Sequence, residues 1–424
     1  MNETKNLDWF LITLVIGISS FGSLIIYSTQ IYKNGTDWQN QLIMVVIGSL
    51  VLLGLSQWRY ELLLKFHWLI YGVTNLLLVA VIFFGQTVNG AQSWINILGF
   101  QFQPSEFAKV GLIISLSALL HYQDASKISR LLPVVATVGL PWVLIMVQPD
   151  LGTGLVFGAI TLTMLYWANA NLGWILLILS PLVSAFLFNI VLPIWFIFVI
   201  AMILIAWFTL PYNFKHIWAL VTLFVNYMAG KLGDILWDLL KPYQKDRLTL
   251  FLTPEKDPLG GGYHLIQSRI AIGSGKMYGN GFLEATQTHL NFVPEQHTDF
   301  IYSAIADQFG FIGGIVIILI YWLICWRLVM IALRSRDNFG SLLAMGVLAM
   351  IAFQTVINIG MTMGLAPITG IPLPFLSYGR SSLLTNFIAF GLVEAVANAR
   401  IMKKVKPRRF SSTHRIRSIR GINH

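Results

Sequence analysis

The longest polar stretch of the sequence ends at Asp299, directly before an apolar run long enough to enter a membrane. A carboxylate at such a junction could take a proton from a substrate hydroxyl, so Asp299 is a candidate general base. Asp before an apolar run is also a common helix start, so a capping role stays open.

A second polar cluster, Gln103-Pro104-Ser105-Glu106 followed by Lys109, begins another apolar run. Pro104 suits the first turn of a helix. Glu106 and Lys109 are three residues apart and therefore share one helix face. Ionisable groups at membrane depth are expensive. Two interpretations stay open: an ion pair that fixes the helices, or part of a functional site.

A third polar cluster runs from Gln148 to Thr153, between two apolar runs, with Asp150 near its centre. Asp150 can cap the helix that follows. A cap alone does not explain the neighbouring Gln148 and Gly152, so a functional role is kept as the alternative.

The elements that position these clusters must lie in lipid. Of the 424 residues, 56% are hydrophobic and 11% are charged, whereas a soluble domain has roughly 25% charged residues. In lipid every backbone polar group must be paired internally, which leaves helices or closed barrels. The apolar runs have helix length, so we predict an all-α polytopic transmembrane bundle. The single cysteine, Cys325, excludes an intramolecular disulfide and a cysteine metal cluster.

The chain has about 10–12 predicted spans, and the ends of each span are located to within about 2–4 residues. They lie near Trp9–Ser28, Gln41–Leu55, Trp68–Phe84, Phe107–Leu120, Leu131–Val147, Thr153–Trp167, Trp174–Leu192, Ile194–Leu210, Trp218–Leu240, Ile301–Trp326, Leu342–Met363 and Ser382–Ala399. The Trp218–Leu240 span is the weakest because charged residues interrupt it. We predict one membrane domain over residues 1–400, with an extracytoplasmic loop at 241–299 and a basic tail at 401–424.

The orientation follows from the Lys and Arg residues of the short loops. With the N-terminus in the cytoplasm, the loop at 85–103, which has no Lys or Arg, falls outside. The residues that fall inside are Arg59, Lys65, Lys127, Arg130, Lys215, Arg327, Arg334, Arg336 and those of the basic tail. Both termini are therefore expected in the cytoplasm, with residues 241–299 outside. The tail is interpreted as an anchor for anionic membrane lipids rather than a nucleic-acid site.

The motifs of common soluble enzymes are missing from this sequence: we find no Walker motif, no HExxH and no GxSxG. A lipid flippase or transporter fits a many-helix bundle equally well on composition. A carrier should place its ionisable site near the membrane midplane, whereas the clusters here are expected near the outer face.

Six short motifs resemble the SEDS family (shape, elongation, division and sporulation) of bacterial peptidoglycan glycosyltransferases, from the first span to about Asn398. They are QPSEFAK (103–109), QPDLGTG (148–154), YQKDR (243–247), DPLGGGYHLIQSRIAIGSG (257–275), NFVPEQHTDFI (291–301) and GIPLPFLSYG (370–379). The GYH and PEQHTDF segments favour the rod-elongation branch over the division branch.

This resemblance implies a multi-pass protein of the bacterial plasma membrane that polymerises lipid II at the outer face during cell elongation. Lipid II, an undecaprenyl-pyrophosphate-linked disaccharide pentapeptide, would be both donor and acceptor. A class B penicillin-binding transpeptidase is the implied partner, for which the chain could also serve as a scaffold. A divalent cation, Mg or Mn, is an optional cofactor, with no metal site assigned to any residue.

The resemblance also assigns roles to residues. Asp299 matches the essential acid of the family, and Glu106 and Lys109 match its membrane-edge pair. Supporting or substrate-binding roles are implied for Gln148, Asp150, Arg247, Arg269, His297 and Arg380. Among the basic residues, Lys109, Arg247 and Arg269 are the candidates for balancing the leaving pyrophosphate.

The sequence departs from the family pattern in two places. The family usually has about ten spans, and the surplus here lies between Asn171 and Leu240, a pair of crossings that preserves the sidedness of the long loop. The usual SYGGSS reads SYGRSS, so Arg380 replaces a glycine and could add a phosphate contact.

Overall fold

The structure, a computed structural model, describes residues 7–31, 35–88, 91–97, 100–122, 125, 130–190, 192–210, 214–239, 245, 250–251, 253–258, 262–290 and 292–402. These residues form fourteen α-helices and three strands. The helices are α1 (Trp9–Gln30), α2 (Asp37–Leu55), α3 (Glu61–Phe84), α4 (Pro104–Tyr122), α5 (Leu131–Val147), α6 (Leu151–Trp167), α7 (Leu172–Ile190), α8 (Leu192–Thr209), α9 (Lys215–Leu239), α10 (Tyr263–Ser274), α11 (Thr286–His289), α12 (Ile301–Leu333), α13 (Asn338–Met363) and α14 (Arg380–Met402).

All helices except α10 and α11 coincide with the predicted spans, and seven of them are long and apolar enough on their own to cross a membrane. The predicted polytopic helical bundle is therefore confirmed. Several helices begin earlier than predicted because their first turns are polar. Helix α3, for example, starts at Glu61 instead of Trp68.

The loop predicted at 85–103 contains a small antiparallel sheet with strands β1 (Gln86–Val88), β2 (Ala91–Ile97) and β3 (Phe100–Phe102) in the order β1-β2-β3. The Ser381 hydroxyl donates to the Gln101 carbonyl at 2.9 Å and accepts from the Gln103 amide at 3.1 Å. The sheet thereby ties the start of α4 to the start of α14.

Helices α13 and α14 form the interior of the bundle, with most of their residues buried, whereas α3 and α8 are mostly exposed on the outside. Helix α4 packs against α13, and nearly all of its side chains are buried. Polar side chains on these three inner helices are consequently shielded from lipid and can only face one another or a cavity.

The three helices α7, α8 and α9 pack chiefly on one another and reach the rest of the bundle through α6 and α7. Their shared interior is polar: the Ser184 hydroxyl donates to the Asn226 carbonyl at 2.7 Å, and the Trp195 indole donates to Ser184 at 2.6 Å. This unit accounts for the surplus predicted between Asn171 and Leu240.

Helix α12 is interrupted at Gly310, where φ is 65°. A loop from the segment between α9 and α12 fills the break: the Phe311 amide donates to the Lys276 carbonyl, and the Asn280 amide donates to the Asp307 carbonyl, each at 2.9 Å. The segment that leads to Asp299 is thus bonded to the first turns of α12.

Candidate functional site

The ionisable residues at the ends of four helices surround one cavity of 460 Å³. Its walls come from the start of α4, the junction of α5 and α6, the segment before α12, the side of α13 and the residues between α13 and α14. Seven residues singled out in the sequence line it: Gln103, Glu106, Lys109, Asp150, His297, Asp299 and Arg380. Consecutive long helices run in opposite directions, so these residues gather at one end of the bundle.

Asp299 is half-buried at the cavity wall, on a backbone that is held from two sides. The Asn358 side chain of α13 donates to the carbonyls of Asp299 at 2.9 Å and Ile371 at 2.8 Å. The Tyr378 amide donates to the His297 carbonyl at 2.9 Å. Phe300, not Asp299, occupies the N-cap position of α12. This placement favours a functional over a capping role for the carboxylate.

Glu106 and Lys109 form an ion pair on the first turns of α4, with 2.7 Å between Oε2 and Nζ. Only 4% and 1% of these side chains are exposed. The two charged groups are close enough for an ion pair, but Glu106 Oε2 does not accept a hydrogen bond with suitable angles. The ammonium therefore still has N–H donors to offer to a ligand in the cavity.

Asp150 is the helix cap that the sequence predicted, and it also lines the cavity. Its carboxylate caps α6 by accepting from the Thr153 amide at 3.0 Å and the Thr153 hydroxyl at 2.8 Å. The Gln103 side-chain amide donates to the same carboxylate at 3.5 Å, which links the starts of α4 and α6. The capped carboxylate still lines the cavity.

His297, Tyr378 and Arg380 line the cavity together. His297 lies 3.9 Å from the Asp37 carboxylate, measured from Nε2 to Oδ2, and its ring lies 6.0 Å from that of Tyr378. Burial, and then the Asp37 carboxylate, raise the pKa of Tyr378. Its hydroxyl is therefore protonated at neutral pH and able to donate.

Three of the predicted site residues are not among those lining the cavity. Gln148 is buried, and its amide donates to the Leu78 carbonyl at 3.0 Å, which joins α5 to α3. Arg269 is exposed on α10. Arg247 lies outside the described residues. Among the basic candidates for a phosphate contact, the cavity thus holds Lys109 and Arg380.

The cavity also contains residues that sequence reasoning did not single out as site residues: Ser93, Trp94, Glu295, Thr298, Gln354, Tyr378 and the segment 367–372. Gln354 carried a usable signal, because an amide within an apolar span is rare unless it is functional. Ser93 and Trp94 lie on β2, outside the apolar runs, where a polar or aromatic residue carries no such signal.

The arrangement suits transfer of a group with an anionic leaving group. Asp299 can accept a proton, while Lys109 and Arg380 can stabilise negative charge that develops nearby. Among the described residues, no three His, Cys, Asp or Glu side chains are grouped so as to hold a metal ion.

A family model described as a cell cycle protein, of the FtsW/RodA/SpoVE type, matches residues 6–199 and 189–401. The chain belongs to the FtsW/RodA/SpoVE family. The two matches meet near the boundary between α7 and α8, inside the surplus of helices.

Two relatives are similar to this family member over nearly their whole length. The peptidoglycan glycosyltransferase RodA of Treponema pallidum is 37% identical, covering 93% of this chain and 98% of the relative. The peptidoglycan glycosyltransferase MrdB of Escherichia coli is 31% identical, covering 94% and 96%.

Solved structures share the same fold. A chain from a peptidoglycan synthase complex that coordinates polymerization and crosslinking superposes with a TM-score of 0.70 at 26% identity, covering 94% of this chain and 99% of that one. The rod shape determining protein RodA of Thermus thermophilus gives a TM-score of 0.61 at 23% identity, with the same coverage.

Proposed function

We propose that this family member is a peptidoglycan glycosyltransferase whose active site is the cavity around Asp299. The observation that carries the proposal is the convergence of Asp299, Asp150, the Glu106–Lys109 pair and Arg380 on one cavity at one end of the bundle. The relatives at 37% and 31% identity bear the name of this activity.

The reaction joins two lipid II molecules. Asp299 takes the proton from the acceptor 4-hydroxyl of GlcNAc, and that oxygen forms the new bond to the sugar carbon of the donor. The bond from this carbon to the pyrophosphate oxygen breaks, and undecaprenyl pyrophosphate leaves. Lys109 and Arg380 stabilise the charge on the departing pyrophosphate.

The protein is a multi-pass membrane protein, and we place its cavity at the outer face with both termini in the cytoplasm. The bundle end opposite the cavity contains Arg327, which pairs with Asp8, and Arg336, which pairs with Glu61. Basic residues at that end support a cytoplasmic position. A role in elongation rather than division is supported by 37% identity to a RodA, against 32% to a probable FtsW of Trichlorobacter lovleyi.

A lipid II flippase remains the alternative function. The position of the ionisable groups argues against it, because Glu106, Asp150, Asp299 and Arg380 all lie at or before the first turn of a helix. A carrier with alternating access needs its binding site near the membrane midplane.

Two further elements of the proposal concern cofactor and partner. Mg²⁺ is usually held by one or two carboxylates together with substrate phosphates, so a divalent cation would bind with the substrate. A transpeptidase partner is supported by the similarity to a chain of a synthase complex. Such a partner would make a scaffolding role additional to catalysis.

The deciding experiment is incubation of the purified chain with lipid II, followed by separation of glycan polymer from precursor. We expect polymer, and we expect EDTA to reduce it if the cation is required. Transfer of lipid II across vesicle membranes without polymer would support the flippase instead.

A further inference from the structure

Gln354 is a buried amide in the cavity wall whose side chain is not paired within the part of the chain that the structure describes. It lies on α13, lines the cavity and is 1% exposed. Neither Oε1 nor Nε2 has a hydrogen-bond partner among the described residues. Buried polar groups are nearly always hydrogen-bonded, and leaving one unpaired is costly. Folding alone therefore gives no reason for an amide at this position.

The position of Gln354 relates it directly to the proposed catalytic group. It lies one helical turn from Asn358, on the same face of α13, and Asn358 holds the Asp299 carbonyl at 2.9 Å. Helix α13 also packs against α4 and α6, which bring Lys109 and Thr153 to the same cavity. The amide thus lies on the cavity wall one helical turn from Asn358, towards the middle of α13.

The chemistry of the amide indicates what it binds. A carboxamide carries no charge and offers a donor and an acceptor side by side. A pyrophosphate only accepts hydrogen bonds, and Lys109 and Arg380 already provide cations for it. Neighbouring hydroxyl and acetamido groups on a sugar ring both donate and accept, so they can use both atoms of the amide.

We propose that Gln354 binds the sugar of the lipid-linked precursor, donating from Nε2 and accepting at Oε1 from adjacent hydroxyl or acetamido groups. The residue is a substrate-binding residue that selects for the glycan rather than for the pyrophosphate. This inference rests on the proposed function, because that function is what brings a sugar into the cavity.

The test compares binding of two ligands that differ in the sugar. Gln354→Leu keeps a similar volume and removes both hydrogen-bonding atoms. Two lost hydrogen bonds should weaken lipid II binding about 10- to 100-fold in Kd. Undecaprenyl pyrophosphate, which has no sugar, should bind to the variant as it does to the wild type. The melting temperature should not fall, because the substitution removes an unpaired buried polar group.

Thr355→Val is the matched control. Thr355 is the next residue on α13, is buried, also has an unpartnered side-chain oxygen and is not among the residues lining the cavity. It should leave both affinities unchanged. Gln354→Met repeats the loss with a flexible side chain and should behave like Gln354→Leu.

An unchanged lipid II affinity in both Gln354 variants would overturn the inference. An equal loss for lipid II and undecaprenyl pyrophosphate would also overturn it, since that pattern indicates a pyrophosphate contact or a distorted cavity. Affinities are measured in the Asp299→Asn background, which should bind lipid II without turnover, so the two hypotheses separate. A wild-type chain that binds lipid II through Gln354 but forms no polymer would refute the proposed activity and leave this inference standing.

Discussion

Asp299 and Asp337 are two acidic residues at helix starts that the structure places in opposite situations. The Asp337 carboxylate caps α13 by accepting from the Gly340 amide at 2.8 Å. Asp299 precedes the N-cap residue Phe300 and faces the cavity at the other end of the bundle. The sequence pattern, Asp before an apolar run, is nearly the same at both positions, and only the tertiary environment separates them.

Matching variants of Asp299 and Asp337 test whether Asp299 is the general base. Asp299→Asn keeps the shape of the side chain but cannot accept a proton, and a positioned base contributes roughly 10²–10⁴-fold in rate. We expect the purified variant to form essentially no polymer while its melting temperature and lipid II affinity stay close to wild type. Asp337→Asn, in which Asn caps almost as well as Asp, should polymerise normally. Normal polymer from a folded Asp299→Asn protein would exclude Asp299 as the base and direct attention to Glu106 or Asp150.

The Glu106–Lys109 pair is a second prediction at the residue scale. Removing one partner of a buried ion pair leaves an uncompensated charge and costs about 3–5 kcal/mol. Glu106→Ala should therefore lower the free energy of unfolding by this order and also abolish polymer formation. In the double variant Glu106→Leu/Lys109→Met, the buried charges are gone together, so stability should largely return while activity stays lost.

Thermal unfolding and polymer assays on both variants separate the two roles of the pair. If the double variant recovers polymer formation along with stability, the pair is structural and Lys109 has no part in stabilising the leaving pyrophosphate. A fully stable Glu106→Ala protein without activity would instead indicate a direct catalytic role for Glu106.

At the scale of elements, the segment between α9 and α12 is attached to α12 through Asp307. This buried carboxylate accepts from Ser274 Oγ at 2.7 Å, Asn280 Nδ2 at 2.8 Å, and both the amide and the hydroxyl of Thr288, at 3.0 and 2.8 Å. The Thr288 carbonyl in turn accepts from the Gln296 side chain at 2.9 Å. A continuous set of hydrogen bonds therefore leads from Asp307 of α12 through Thr288 to Gln296, close to Asp299.

We predict that Asp307→Asn loosens this segment. The amide nitrogen of Asn cannot accept from the donors that surround one carboxylate oxygen, and hydrogen bonds to charged groups contribute roughly 1.5–3 kcal/mol each. Trypsin should then cleave after the exposed Lys276 faster than in the wild type, and polymer formation should fall. Glu284→Gln, an exposed acidic residue in the same segment, is the control and should change neither. Unchanged cleavage in Asp307→Asn would show that other contacts hold the segment.

The elements differ in how far the sequence predicted them. The spans were predictable because lipid demands long apolar helices. Even the additional spans near α8 could be predicted, because the apolar runs there are long enough for them. The sheet at 86–102 and helix α10 were missed because they lie outside the apolar runs and their patterns are short. The break in α12 at Gly310 was also missed, since its partners Lys276 and Asn280 are distant in the sequence and no local pattern reveals them.

Within the site, the sequence identified most of the charged residues, whereas of the neutral ones it identified Gln103 but not Gln354 or Tyr378. Glu106, Lys109, Asp150 and Asp299 stood out because charge is costly near lipid. Arg269, in contrast, was implied by a motif and lies on an exposed helix face away from the cavity lining. A residue type can indicate chemistry, but only the packing of α4, α6, α13 and α14 determines which groups meet.

At the scale of the whole molecule, the alternation of helix direction separates two chemically distinct ends. One end holds the cavity. The other holds the Asp8–Arg327 pair, and the Tyr60 hydroxyl donates to Asp337 there at 3.0 Å. Polymerisation of a precursor whose head group is outside requires the cavity end to face outward. A test of the orientation of the chain is therefore also a test of the proposed function.

Cysteine labelling tests this orientation in intact cells. Cys325, the single native cysteine, is first replaced by alanine so that only introduced thiols react. Lys256 is exposed in the segment between α9 and α12, and Arg334 is exposed between α12 and α13 at the opposite end; each is replaced by Cys. A membrane-impermeant maleimide should modify the first and spare the second, because Lys and Arg in short loops favour the cytoplasm.

Arg409→Cys, in the basic tail, should also be spared until the cells are lysed. Labelling of Arg334→Cys and Arg409→Cys but not of Lys256→Cys in intact cells would invert the topology, place the cavity in the cytoplasm and refute polymerisation at the outer face.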